Sequence, residues 1–195
     1  MSNDNTAARA LLRDKILDGL RRAERTLFTR PAPKSARAQM KFLRTREGGS
    51  SKSLAERLGV SRKTVDRYLS GATKKPQKRL QAALAQETEA EWQPQVKAQA
   101  RQRAATSAGL VISTTAYFGF GSEGSDAGRM RDIQVAVSPS HAAAILAARD
   151  TGATDSELHD AVAEAIADAY FRVEGGGRAG LKVRIEAVER LDIAF

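Results

Sequence analysis

Ser53-Leu54-Ala55-Glu56-Arg57-Leu58-Gly59-Val60-Ser61-Arg62-Lys63-Thr64-Val65-Asp66-Arg67-Tyr68-Leu69 decides how the first half of this chain folds. Leu54, Ala55 and Leu58 make an apolar stripe at helical spacing, and Val65, Tyr68 and Leu69 repeat it after a break at Gly59-Val60-Ser61. The break has the chemistry of a bend. Gly59 accepts the positive φ that ends one helix, Ser61 caps the next, and Ala55 is small where the two cross.

Such a pair resembles the DNA-binding helix-turn-helix, with Arg62 to Ser70 as its recognition helix. Arg62, Lys63, Asp66 and Arg67 are left opposite the apolar stripe, where a major groove receives side chains. Arg62, Lys63, Thr64 and Arg67 are the expected DNA contacts on this helix. The same pattern also fits an ordinary helical hairpin with a solvated basic face.

Downstream, Lys74-Lys75-Pro76-Gln77-Lys78-Arg79 opens another helix whose apolar side is Leu80, Ala83 and Leu84. Lys74, Lys75 and Lys78 are expected to hold a phosphate backbone, although short basic runs are often just solvated. Trp92 and Pro94 punctuate a polar, acidic stretch, and Val96 to Ser107 reads as a basic helix or a semi-rigid linker. Upstream, Leu11, Leu12, Ile16, Leu20, Ala23 and Leu27 recur at helical spacing among many arginines, until Pro31-Ala32-Pro33 ends the run. This long helix is either a phosphate-contacting arm or a solvated face packed on its neighbours. A further helix, Ser35 to Arg46, supports the motif and stops at Gly48-Gly49.

Composition sets the outer limits. The 195 residues are 42% hydrophobic but only 5% aromatic, which suits one or two modest cores. There is no cysteine, which excludes disulfides, thiolate metal sites and cysteine nucleophiles. No apolar run approaches the roughly 18 residues of a membrane span, and no secretory signal is present, so a cytoplasmic protein without a membrane partner is expected. The net charge of +9 is uneven: through Ala108 there are 24 Lys and Arg against 10 Asp and Glu, and from Gly109 onward 8 against 13. A basic half attracts phosphates and an acidic half is repelled by them.

From Gly109 the composition changes. Leu110 to Phe120 is dense in β-branched and aromatic residues, and Arg131 to Ser138 alternates Ile133, Val135 and Val137 with polar positions, so both read as strands joined by a loop at Gly119 to Gly128. Ser138-Pro139 starts a helix to about Arg149, and Thr154-x-x-Glu157 is a capping box for another from Asp155 to Tyr170. After the Gly175-Gly176-Gly177 turn, Leu181 to Ala187 is a half-buried strand. The expected fold is α+β: a helical DNA-binding domain, then a small β-β-α-α-β domain. Boundaries fall at residues 1–30 for the basic helix, 31–90 for the DNA-binding domain, 91–108 for a linker helix and 109–195 for the α+β domain.

Catalytic machinery is not visible. His141 and His159 each stand alone without a spaced partner, and Asp155, Glu157, Asp160, Glu164 and Asp168 read as the wet face of one helix rather than a metal site. No GxxxxGK(S/T) run appears, and nothing local activates a hydroxyl as in a hydrolytic triad.

Ser113, Thr114, Thr115 and Tyr117 crowd one strand, which β-propensity alone accounts for. The basic half with its Ser53 to Leu69 motif, joined to Ile112-Ser113-Thr114-Thr115-Ala116-Tyr117-Phe118-Gly119-Phe120, resembles the telomere-protecting terminal proteins (Tpg type) of linear bacterial chromosomes and plasmids. The similarity runs over most of the chain, in length and in order of features. It implies a protein joined covalently through a threonine hydroxyl to the 5′ DNA end, priming the fill-in synthesis opposite a 3′ overhang. The matching threonine is Thr114, and a shifted match would move the role to Thr115, Ser113 or Tyr117. Implied partners are telomeric DNA, a telomere-associated protein and a DNA polymerase that brings Mg2+ and dCTP; self-association is also open. The chain would be an acceptor, not an enzyme. Because an acceptor must be reachable, Thr114 is expected at a strand end or beside the glycine loop, outside the core. The alternatives are a helix-turn-helix transcriptional regulator whose second half senses a ligand or dimerises, and a nucleoid or partition protein.

Overall fold

The computed structural model describes residues 2–120, 128–172 and 182–195, with side chains from Leu11 onward. Most of the expected glycine loop and the Gly175-Gly176-Gly177 turn lie outside the described residues. The helices are α1 (Ser2–Thr26), α2 (Ala36–Arg46), α3 (Ser51–Leu58), α4 (Arg62–Ser70), α5 (Lys78–Glu91), α6 (Pro94–Arg103), α7 (Pro139–Asp150) and α8 (Asp155–Ile166). The strands are β1 (Leu110–Phe120), β2 (Arg129–Val137) and β3 (Val183–Ala194), and single π-helical turns occupy Ala104–Ala108 and Ala167–Phe171. The chain divides into two compact units, Phe28–Gln95 and a second made of Met1–Leu27 with Val96–Phe195.

In the Phe28–Gln95 unit, serines start three of the helices. Ser35, Ser50 and Ser61 each accept a backbone N–H from the first turn of α2, α3 and α4. Gly59 ends α3 at φ +63°, and the Val60 N–H returns to the Ala55 carbonyl at 2.9 Å. Met40, Leu43, Leu54, Val65 and Leu84 are fully buried between the helices. Arg57 ties the unit together by hydrogen-bonding Glu47 at 2.9 Å, Glu87 at 2.8 Å and Glu91 at 3.1 Å. Glu47 first, then the other two carboxylates, hold this guanidinium charged far above its ordinary range. Trp92 is a packing residue: its indole N–H donates to the Arg30 carbonyl at 3.1 Å, and Phe42 meets its ring edge-on at 5.1 Å.

The second unit is a three-stranded antiparallel sheet in the order β2-β1-β3. Side chains alternate along β1, so Leu110, Ile112, Thr114, Ala116 and Phe118 are buried while Val111, Ser113, Thr115 and Tyr117 are half-exposed on the other face. The buried face meets Ile16 and Leu20 of α1, Ile145 of α7, and Leu158 and Ile166 of α8 in one core. Instead of forming a separate N-terminal piece, α1 belongs to this unit, and so does α6 from Val96 on. Three cations of α1 are engaged there: Arg13 donates to the Ala153 carbonyl at 2.5 Å, Lys15 to the Val188 and Glu189 carbonyls, and Arg22 to the Leu191 carbonyl at 2.8 Å, while Arg21 and Arg25 are exposed. Of the two readings of the basic helix, the described contacts realise the packed one. Glu24 is buried and bridges Arg101 and Arg149, at 2.6 and 2.8 Å.

Two boundaries differ from the sequence reading for physical reasons, and the one at Gly109 falls where expected. β3 runs on to Ala194: register shifts opposite Thr115/Ala116 and Tyr117/Phe118 interrupt its alternation between Ile185 and Arg190, and the inward face resumes at Leu191 and Ile193. The helix expected to reach Tyr170 leaves α geometry after Ile166, and the π turn that follows delivers Phe171 into ring contact with Phe118 and Phe120 at 5.3 and 5.1 Å. At Gly109, φ is +72° and an added Cβ would lie 2.0 Å from the Val137 carbonyl oxygen, so glycine alone fits between the π turn and β1.

Candidate nucleic-acid interface and hydroxyl strand

On α4 the apolar stripe is spent inward, since Val65 and Tyr68 are buried. Arg62, Lys63 and Arg67 are therefore exposed together on the outer side. Arg62 has a side chain 73% exposed and only a long 3.7 Å contact with Asp66, so its charge faces water. Thr64 is half-buried and engaged in the cap, its hydroxyl 2.9 Å from that of Ser61. The segment after α4 folds back on it: the Thr73 N–H donates to the Arg67 carbonyl at 3.2 Å and the Tyr68 hydroxyl to the Lys75 carbonyl at 3.2 Å. A depression of about 430 Å³ lies between them, lined by Ser61, Thr64, Arg67, Thr73, Lys75 and Gln77. Lys74, Lys75 and Lys78 are exposed around the same region of the chain.

Charge follows the division into units. Residues 28–95 hold 15 Lys and Arg against 6 Asp and Glu, a net +9, while the other unit holds 17 of each. The whole formal charge of the chain therefore belongs to the unit that carries α4. In the other unit Arg13 and Arg22 of α1 pair with Asp155, Asp18 and Asp192, and Arg101 of α6 pairs with Glu24.

The structure corrects the expectation for Thr114. It lies midway along the central strand, 1% exposed, with its hydroxyl donating to the Arg190 carbonyl at 2.8 Å. The cause is phase: Thr114 shares the inward face with Ile112, Ala116 and Phe118, and its methyl group packs there as a valine would. Ser113, Thr115 and Tyr117 fall on the opposite face. Thr115 lies across from Asp132 of β2 and Arg190 of β3. Its hydroxyl donates to Asp132 Oδ1 at 3.0 Å, and the Arg190 guanidinium donates to that same oxygen at 3.1 Å. Arg190 also lies 3.6 Å from Asp192.

His141 is not alone, as the sequence suggested. Its Nδ1 is 2.9 Å from the Ser138 hydroxyl and its Nε2 is 3.1 Å from Asp168, which Arg172 also binds. The Ser138 oxygen also accepts the His141 backbone N–H and so caps α7. No spacing rule reveals the contact between His141 and Asp168, because Asp168 comes from the turn after α8. Of the acidic row, Asp155 pairs with Arg13, Glu164 and Asp168 pair with Arg172, Glu157 closes the capping box, and Asp160 is exposed. The Thr154 hydroxyl and N–H hold Glu157 below the usual carboxylate range. Among the described residues no group of three or more His, Asp or Glu could hold a metal ion, and no helix is long and apolar enough to cross a membrane. No protein-family model, curated protein or solved structure matches the chain.

Proposed function

We propose that this chain is a telomere terminal protein of the Tpg type: a helix-turn-helix made by α3 and α4 binds telomeric DNA, and a hydroxyl on β1 accepts the first nucleotide and stays joined to the 5′ end. The observation that carries this reading is the segregation of charge. All of the net +9 lies on residues 28–95, where Arg62, Lys63 and Arg67 stand exposed on one short helix. Such a surface releases counterions from a phosphate backbone, and α4 presents side chains at the width of a major groove. Lys74, Lys75 and Lys78 extend the positive surface toward flanking phosphates.

The other unit contributes the acceptor. Through the partner polymerase, Mg2+ and dCTP supply the electrophilic phosphorus and neutralise its charge. This chain's residues present the hydroxyl, and the polymerase's metal ions assist loss of its proton. Thr114, matched by resemblance, would serve only after its bond to the Arg190 carbonyl breaks and the buried face opens. Incubation with labelled dCTP, Mg2+ and a cognate extract tests the reading: label that stays with the protein through denaturing electrophoresis supports it. A transcriptional regulator uses the same α4 surface, and it would bind duplex DNA with the same salt dependence while acquiring no label.

A further inference from the structure

The two edges of the sheet are finished differently. Along β3, α1 takes the outward carbonyls: Lys15 donates to Val188 and Glu189, and Arg22 donates to Leu191 at 2.8 Å. Along β2 the corresponding groups meet no partner among the described residues. The ladder says which groups these are. In an antiparallel pair the N–H and C=O of one residue point to the same side, and the side alternates along the strand. The Leu191 carbonyl turns to Arg22 and so away from β1. Thr114, across from Leu191, therefore turns its groups to Ile133 of β2. The Val137 carbonyl faces the same way, against Gly109. Met130, Asp132, Gln134 and Ala136 are left to offer their main-chain groups outward, and all four are exposed. Arg129–Val137 also lacks the proline, lysine or bulge by which sheets close an edge.

We propose that the β2 edge pairs with the β2 edge of a second copy of this chain, antiparallel about a two-fold axis at Ile133, so that two three-stranded sheets join into one. The pairing does not depend on the primer reading. Two-fold symmetry fixes the sum of the numbers of facing residues, and the inner faces of the two sheets stay in step only when that sum is even. With Ile133 on the axis, Asp132 lies opposite Gln134, Met130 opposite Ala136, and Ile133 meets its own copy on the inner face. Sliding by one step puts Asp132 opposite Asp132, like charge on like charge. Sliding the other way puts Gln134 opposite itself and Met130 opposite Ser138, beyond the end of the strand. Only the Ile133 register sets apolar against apolar and gives Asp132 an amide donor. Asp132 can accept it: Thr115 and Arg190 both bind Oδ1, which leaves Oδ2 for the Gln134 amide of the second copy. The pair of chains carries two copies of the basic Phe28–Gln95 unit and so doubles the positive surface offered to a phosphate backbone.

Sedimentation velocity on the full chain, from about 1 to about 100 μM, reads its mass against the 21.0 kDa of one copy. The proposal expects wild type to reach twice that mass within this range. Gln134→Pro removes an outward N–H and no bond to β1, so it should abolish the dimer while circular dichroism stays unchanged. Gln134→Lys and Gln134→Asp decide the matter even if the proline variant fails to fold, since Gln134 is exposed and both changes leave the ladder intact. Opposite Asp132, the lysine should lower the dimer Kd and the aspartate raise it, each by about 3- to 10-fold, because symmetry makes the contact twice. A monomer throughout the range overturns the proposal and leaves the edge to a strand from a different protein. A dimer that folded Gln134→Pro leaves unchanged, or that neither charged variant moves, overturns the β2 edge as the interface. Weakening by lysine and aspartate alike overturns the Ile133 register, because that result places Gln134 opposite itself.

Discussion

Replacing Thr114 by valine keeps the buried volume and removes one hydroxyl, and the position of that hydroxyl sets the cost. It is 1% exposed and donates at 2.8 Å to the Arg190 carbonyl, which then faces a methyl group in a site with little water. Losing the bond and stranding the acceptor costs about 1–2 kcal/mol. Thr114→Ala also loses a buried methyl, adding about 1 kcal/mol, and Thr114→Ser loses that methyl while keeping the bond, for about 1 kcal/mol in all. Thr115→Val, on the half-exposed face, stays within about 0.5 kcal/mol of wild type. Urea unfolding followed by far-ultraviolet circular dichroism reads the series as midpoint shifts at constant slope. Thr114→Val as stable as wild type, or Thr115→Val the costlier of the two, refutes the inward placement of Thr114. The series also has a practical use: lost priming in Thr114→Ala alone can reflect a weakened sheet, and Thr114→Val and Thr114→Ser separate that from lost chemistry.

Arg57→Met leaves Glu47, Glu87 and Glu91 facing one another without their shared cation, and should destabilise the Phe28–Gln95 unit by about 2 kcal/mol, read from the urea dependence of Trp92 fluorescence. The triple change Arg62→Ala, Lys63→Ala and Arg67→Ala should leave circular dichroism intact, since all three are exposed. It should lower the slope of log affinity against log salt by about 2 to 3 in anisotropy titrations on telomeric duplex, one phosphate contact being worth about 0.9. For Glu157, a lowered folded pKa means its capping box contributes fully above the ordinary carboxylate range and is lost as pH falls through the lowered value. The melting temperature of Glu157→Gln should therefore lie below that of wild type at neutral pH and converge with it as pH falls through the lowered carboxylate range.

Helices and caps were legible in the sequence because their causes are local. Ser35, Ser61, the Ser138-Pro139 pair and the Thr154/Glu157 box each act within a few residues of themselves, and the structure places each at a helix start. The apolar period predicted which side of α4 is buried, and thereby which cations are left outside. Less legible were features that need a second segment. Whether Thr114 or Thr115 faces the core depends on the phase of β1 against the helices that cover it, and a threonine satisfies either face. The second half of β3 was missed because a bulge breaks the alternation that betrays a strand. The Ser138–His141–Asp168 chain and the pairing of Arg13 with Asp155 and Arg22 with Asp192 join residues far apart in sequence, and no spacing announces them.

The account turns on whether DNA ends carry this chain by a covalent bond. Terminal fragments from a linear replicon, digested with nuclease and trypsin, would release the peptide from Ala104 to Arg129, the tryptic fragment that spans β1. The account predicts this peptide heavier by one deoxycytidylate, with the nucleotide on a β1 hydroxyl. Ends that yield only the unmodified peptide, or none of this protein after denaturing washes, would contradict it.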